Sequence, residues 1–104
     1  MDYGGWGIYV SEWVRGKLVL HDVEETEVEE AFCNSGPPYL RDDREEHRTV
    51  PPTYWFVALT MDDRPLKVIF IPYEEEKIIR LKSAYEPTEQ EIERYVEYQE
   101  KRRY

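Results

Sequence analysis

Apolar positions along this chain change period several times, and each change marks an element. Residues 24–33, EETEVEEAFC, place Val28, Ala31 and Phe32 at i, i+3 and i+4 with glutamates on the other faces, which predicts an amphipathic helix. The acidic residues at its start suit the helix dipole. Residues 54–60, YWFVALT, and 66–72, LKVIFIP, are near-continuous β-branched and aromatic runs joined by MDDRP, whose Asp62, Asp63 and Pro65 are turn residues. They predict a central hairpin with both faces at least partly covered. After the turn-like YEEEK, residues 77–85, KIIRLKSAY, predict a third strand.

The flanking segments read less uniformly. In WGIYVSEWVRGKLVL, residues 6–20, IYV resembles a short strand, yet Trp13, Lys17 and Leu20 fall at helical spacing behind Ser11, a plausible N-cap. Gly16 costs such a helix about 1 kcal/mol relative to Ala. Gly36 and the pair Pro37–Pro38 end the 24–33 helix, and RDDREEHRTVPP predicts a loop or an edge hairpin. Near the end, Thr88 and Glu91 have capping-box spacing, and Ile92, Tyr95, Val96 and Gln99 follow on one face. Lys101, Arg102 and Arg103 close that helix with the charge its dipole favours. The expected fold class is α+β: two N-terminal helices, a three- or four-stranded antiparallel sheet and a C-terminal helix, in a single domain over 1–104.

Length and charge narrow the function classes. A chain of 104 residues supports one core, and three Trp, nine Tyr and three Phe argue for a packed fold. A single cysteine, Cys33, excludes an internal disulfide and a cysteine-rich zinc site. No apolar run approaches ~18 residues, and Asp2 stands where a signal peptide carries Lys or Arg, so a cytoplasmic protein with no membrane partner is expected. The net charge of -9 disfavours broad, nonspecific nucleic-acid binding and suits a basic partner, while salt screening still permits a local cationic pocket.

Within that acidic chain, Arg80 and Lys82 alternate with Ile79 and Leu81, so a regular strand points both cations to one face. Such a pair makes an anion cradle; alternatively the two cations pair with glutamates of the last helix as solvated bridges. Histidine is the side chain type that moves protons near neutrality, which makes His21 a candidate base or acid; alternatively it caps the end of the first helix. Lys17 either reaches the same pocket or covers apolar surface with its stem. His47 reads as a solvated loop residue. Arg41, Arg44 and Arg48 are offset by Asp42, Asp43, Glu45 and Glu46, which predicts a solvated charged edge. Acids at 42–43, 62–63 and 74–76 are adjacent in sequence and diverge, so neither a metal nor a cofactor is expected. No phosphate loop, dinucleotide turn or nucleophile elbow is present.

Taken together, HDVEETEVEEAF at 21–32 and KIIRLKSAYEPTEQEIERY at 77–95 resemble two segments of BrnT-type toxins. His21, Val23, Val28 and Phe32 fall in the register of the first, with Lys17 upstream. Arg80, Ser83, Ala84, Thr88, Glu91 and Tyr95 fall in that of the second, and the hairpin around Arg64 is similar to the family's Gly-Arg turn. The resemblance covers about residues 13–96. It implies a RelE/ParE-like fold and a metal-independent endoribonuclease acting on RNA, toxin of a type II toxin–antitoxin pair and held inactive by a DNA-binding antitoxin of ribbon-helix-helix type. His21, Arg80 and Lys82 would then be catalytic, and Lys17, Arg64 and Tyr85 would bind substrate, Tyr85 by stacking on a base or donating a proton. Three positions depart from the pattern: Tyr85 replaces an arginine, Asp22 a glycine and Glu24 a serine. The alternative is a non-catalytic interaction module on the same fold whose acidic surface docks a basic partner.

Overall fold

The computed structural model describes residues 3, 5–42, 44 and 48–102. In chain order these form β1 (Gly7–Tyr9), α1 (Glu12–Leu20), α2 (Glu25–Asn34), β2 (Leu40–Arg41), β3 (Tyr54–Leu59), β4 (Pro65–Tyr73), β5 (Ile78–Tyr85) and α3 (Glu89–Arg102). The fold is α+β, with three helices and one mixed sheet in the order β1-β5-β4-β3-β2.

That sheet differs from the antiparallel one of three or four strands that the pattern predicts. It has five, and β1 runs parallel to β5, pairing Gly7 with Ile78 and Tyr9 with Arg80. Both additional strands are short. Segment 6–20 is strand and then helix, because Ser11 starts α1 two residues after β1 ends and accepts a hydrogen bond from Val14 N–H at 3.2 Å. β2 pairs only Leu40 and Arg41 with Trp55 and Tyr54. A two- or three-residue strand carries no periodicity to read, and its pairing comes from distant partners.

The central hairpin has the expected register, from Tyr54 opposite Phe70 to Leu59 opposite Pro65, and its turn places Asp63 at φ 61. Paired residues share a face, so Phe56, Val68, Phe70 and Leu81 point to one side of the sheet. There α2 covers them, Phe32 lying edge-on to Phe56 and Phe70 at 4.9 and 5.2 Å. Val14 and Leu18 of α1 and Val28 and Ala31 of α2 complete that core. The other face carries Trp55, Ile69, Lys67 and Tyr85, and α3 lies across its β3 side through Tyr95, whose ring is 5.7 Å from that of Trp55.

The helix ends explain two sequence features. Val23 N–H bonds to Leu18 O at 2.8 Å and Asp22 N–H to Val19 O at 3.1 Å, with Asp22 at φ 54. This is a Schellman cap, closed by contact of the apolar residues Val23 and Leu18, both buried. The left-handed position at 22 favours glycine, the residue that the BrnT pattern has there, and aspartate is one of the few others that tolerate it. At α3 the capping box forms as its spacing predicts: Thr88 Oγ1 accepts from Glu91 N–H at 3.2 Å, and Glu91 Oε1 from Thr88 N–H at 3.0 Å.

Candidate functional site

His21 is the C-cap residue of α1, so the capping position is real, and its imidazole is nonetheless exposed. The ring lies 5.4 Å from that of Tyr85, at the end of β5. Lys17 is one helical turn earlier on the same side of α1, half-buried, with Nζ 5.9 Å from the centre of the Trp13 ring. Its charge makes no ion pair among the described residues.

Arg64 comes from the β3–β4 turn to hold this corner together. Nη1 donates to Asp22 O at 2.7 Å and to Glu27 Oε1 and Oε2 at 3.0 and 3.1 Å. Nη2 donates to His21 O at 3.4 Å and to Glu86 Oε2 at 3.3 Å. The guanidinium expected to bind substrate is thus engaged by two carboxylates and by the α1–α2 turn. It positions His21. Glu27 also accepts from Glu24 N–H at 3.0 Å; that bond and Arg64 hold its carboxyl below the usual glutamate range against the opposing effect of burial.

Behind Tyr85 lies a group the pattern does not reveal. Lys67 is 5% exposed, its Nζ 4.4 Å from the Trp55 ring centre and 5.7 Å from that of Tyr85. It donates to Glu91 Oε2, which also accepts from Tyr85 Oη at 3.3 Å. Burial alone would raise the Glu91 carboxyl; the hydrogen bonds from Lys67 and Thr88 and the Lys67 charge outweigh it and hold the group low. Glu91 therefore caps α3 with one oxygen and neutralises a buried ammonium with the other. The available signal was a lone lysine inside LKVIFIP: an interior cation requires a carboxylate.

Arg80 and Lys82 do not stand side by side as regular alternation would have them. Arg80 is opposite Ile71, Leu81 opposite Phe70 and Ser83 opposite Ile69, so the register shifts at Lys82, which has no partner on β4. The shift breaks the two-residue repeat on which a shared face depends. Arg80 is exposed on the face that carries Tyr85, away from the core on which α1 packs, roughly 15 Å from Tyr85 at ~3.3 Å of strand per residue. Neither cation forms an ion pair among the described residues, so the expected alternative of bridges to the last helix is not what occurs.

Of the charged 41–48 set, Asp43, Glu45 and Glu46 lie outside the described residues, and the described ones include a buried acid. Asp42 is buried and held by Arg44 Nη2 at 2.9 Å and Nε at 3.1 Å, whereas Arg41, Arg44 and Arg48 are exposed. Arg41 and Arg44 border a cavity of about 350 Å³ beside Lys67 and Glu91. His47 lies outside the described residues. Among the described residues no three His, Cys, Asp or Glu side chains converge as metal ligands, and no helix is long and apolar enough to cross a membrane. Cys33 is exposed at the end of α2.

No family model, curated protein or solved structure matches this chain.

Proposed function

We propose that this chain is a BrnT-like toxin on a RelE/ParE-like fold, a metal-independent endoribonuclease paired with a DNA-binding antitoxin of ribbon-helix-helix type. The observation that carries this reading is His21, an exposed imidazole whose backbone is held by a Schellman cap and by Arg64, beside Tyr85 and one turn from Lys17. The imidazole takes the proton from a 2′-hydroxyl as its oxygen attacks the adjacent phosphorus; the P–O5′ bond breaks, leaving a 2′,3′-cyclic phosphate, and the departing 5′-oxygen takes a proton from water. Lys17 and Lys82 supply positive charge to the phosphate oxygens, and Tyr85 offers a ring to a flanking base. Arg80, displaced along β5, holds a neighbouring phosphate of the same strand instead of the scissile one. The antitoxin lies on α1, where Trp13, Val19 and Leu20 are 76%, 75% and 85% exposed.

The test is growth arrest on expression, with cleavage of cellular RNA by the purified chain. His21→Ala is expected to lower cleavage by about 10²-fold or more, and Lys17→Ala and Lys82→Ala by more than Arg80→Ala. Undiminished arrest in His21→Ala overturns the assignment. A small ribbon-helix-helix protein encoded next to this gene supports the toxin reading.

A second reading, a non-catalytic module that docks a basic partner through its acidic surface, is favoured by one observation. Arg64, the arginine that reaches His21, is already bound by Glu27 and Glu86, while Tyr85 replaces the family's other arginine. Neither arrest nor cleavage by the unaltered chain would select this reading.

A further inference from the structure

The end of the sheet away from His21 holds a cavity of about 630 Å³ that no part of the nuclease reading uses. Four tyrosines, Tyr3, Tyr39, Tyr54 and Tyr73, line it together with five prolines. Tyr3 stacks on Tyr39 with ring centres 5.2 Å apart and planes 24° apart, and both rings stand edge-on to the buried Phe70. Tyr39 also shares a hydrogen bond of 3.0 Å with the Ser35 hydroxyl, so this wall is fixed before any ligand arrives. Glu74, Glu75 and Glu76, in the β4–β5 turn, also line the cavity. All three are exposed and none forms an ion pair among the described residues; Lys77, the cation that follows, leaves the turn negative.

Aromatic faces attract cations, prolines offer an apolar shelf, and an unneutralised acidic rim selects positive charge. We propose that this cavity receives the arginine or lysine side chain of a basic, extended polypeptide segment, its cationic head against the tyrosine rings and its backbone across the prolines. Charge complementarity sets the sign of the ligand, and the volume, larger than one cationic head fills, favours a polypeptide over a free cation. Burial, then the neighbouring Tyr39, Tyr54 and Glu74, push the Tyr3 hydroxyl up to about 12, so Tyr3 remains a neutral ring at physiological pH. The assignment is independent of RNA cleavage at the opposite end of the sheet.

The test uses the full chain and a synthetic ten-residue peptide carrying two arginines among prolines, followed by calorimetry and by shifts of backbone amide resonances. The expected result is binding that weakens with salt, with resonance shifts at Tyr54, Tyr73 and Glu74–Glu76. Replacing both arginines with the uncharged isostere citrulline should weaken binding ~10-fold or more. The exposed triple variant Glu74→Gln/Glu75→Gln/Glu76→Gln should show a loss of the same order, and Tyr73→Leu a smaller one. His21→Ala should bind as the unaltered chain does. Equal binding of the citrulline peptide, undiminished binding by the triple variant, or shifts confined to the α2 glutamates would each overturn the proposal. Spermidine or free arginine binding as tightly as the peptide would also overturn the polypeptide assignment.

Discussion

The two ends of the sheet handle charge in opposite ways. At the end where β5 terminates, the two cations drawn into the fold have carboxylates: Arg64 has Glu27 and Glu86, and Lys67 has Glu91. At the other end, tyrosine and proline rings form the wall, and Glu74–Glu76 stand in solvent without partners among the described residues. The first arrangement is tied to stability, because removing one member strands the other in a poor dielectric. The second contributes little to folding and leaves its field available to a ligand. Charges that hold the fold together and charges left unneutralised are therefore separated along β4.

The largest effect expected from this contrast is at Glu91. Glu91→Ala leaves Lys67 buried and unpaired and removes the carboxylate half of the α3 capping box, and should cost about 3–5 kcal/mol in chemical denaturation. The double variant Lys67→Met/Glu91→Gln should recover most of that loss. A cost below ~1 kcal/mol for Glu91→Ala would mean that Lys67 finds water, and the contrast between the ends would fail.

Arg64→Ala should cost about 2–3 kcal/mol, since it releases two carboxylates and two carbonyls of the α1–α2 turn. It should also lower any cleavage more than Arg80→Ala does, because His21 loses its support. The pH dependence has a definite sign. Glu91 and Glu27 have folded pKa values below their ordinary value of 4.5, so their contribution is fully present above that pH and is lost as pH falls through the lowered values. Thermal unfolding between pH 5 and 2 should show this loss, and Glu91→Gln should flatten it.

Smaller effects test local geometry. Asp22→Gly relieves a left-handed residue and should stabilise by about 1 kcal/mol. Gly16→Ala should gain a similar ~1 kcal/mol, since a Cβ there meets nothing within 4 Å. At the far end, the triple glutamine variant of 74–76 should change stability by less than about 0.5 kcal/mol. A loss approaching that of Glu91→Ala would show that those glutamates are structural.

What could be read from the chain follows the range of the interaction involved. Ser11 as the α1 cap, the Thr88–Glu91 box, the α2 stripe and the hairpin turned at Asp62–Asp63 are all decided within a few residues, and their patterns are visible in sequence. The parallel pairing of Gly7–Tyr9 with β5 is not, because three residues carry no period and the partner lies far along the chain. The candidate site divides the same way. His21 at a helix end was legible from spacing. The clasp of Arg64 across the α1–α2 turn and the burial of Lys67 against Glu91 depend on contacts 24 to 43 residues apart. The same-face placement of Arg80 and Lys82 failed for a different reason: a register shift leaves no mark in an alternating sequence.

The parallel strand also has a bearing on biosynthesis. About 70 residues separate Gly7 from Ile78, its partner in the sheet. A nascent chain leaving the ribosome can form α1 and α2 early, but β1 has no strand to join until β5 has been made. Tyr85, the aromatic neighbour of His21, is translated later still. The corner that joins His21 to Tyr85 is thus among the last parts of the described fold to close.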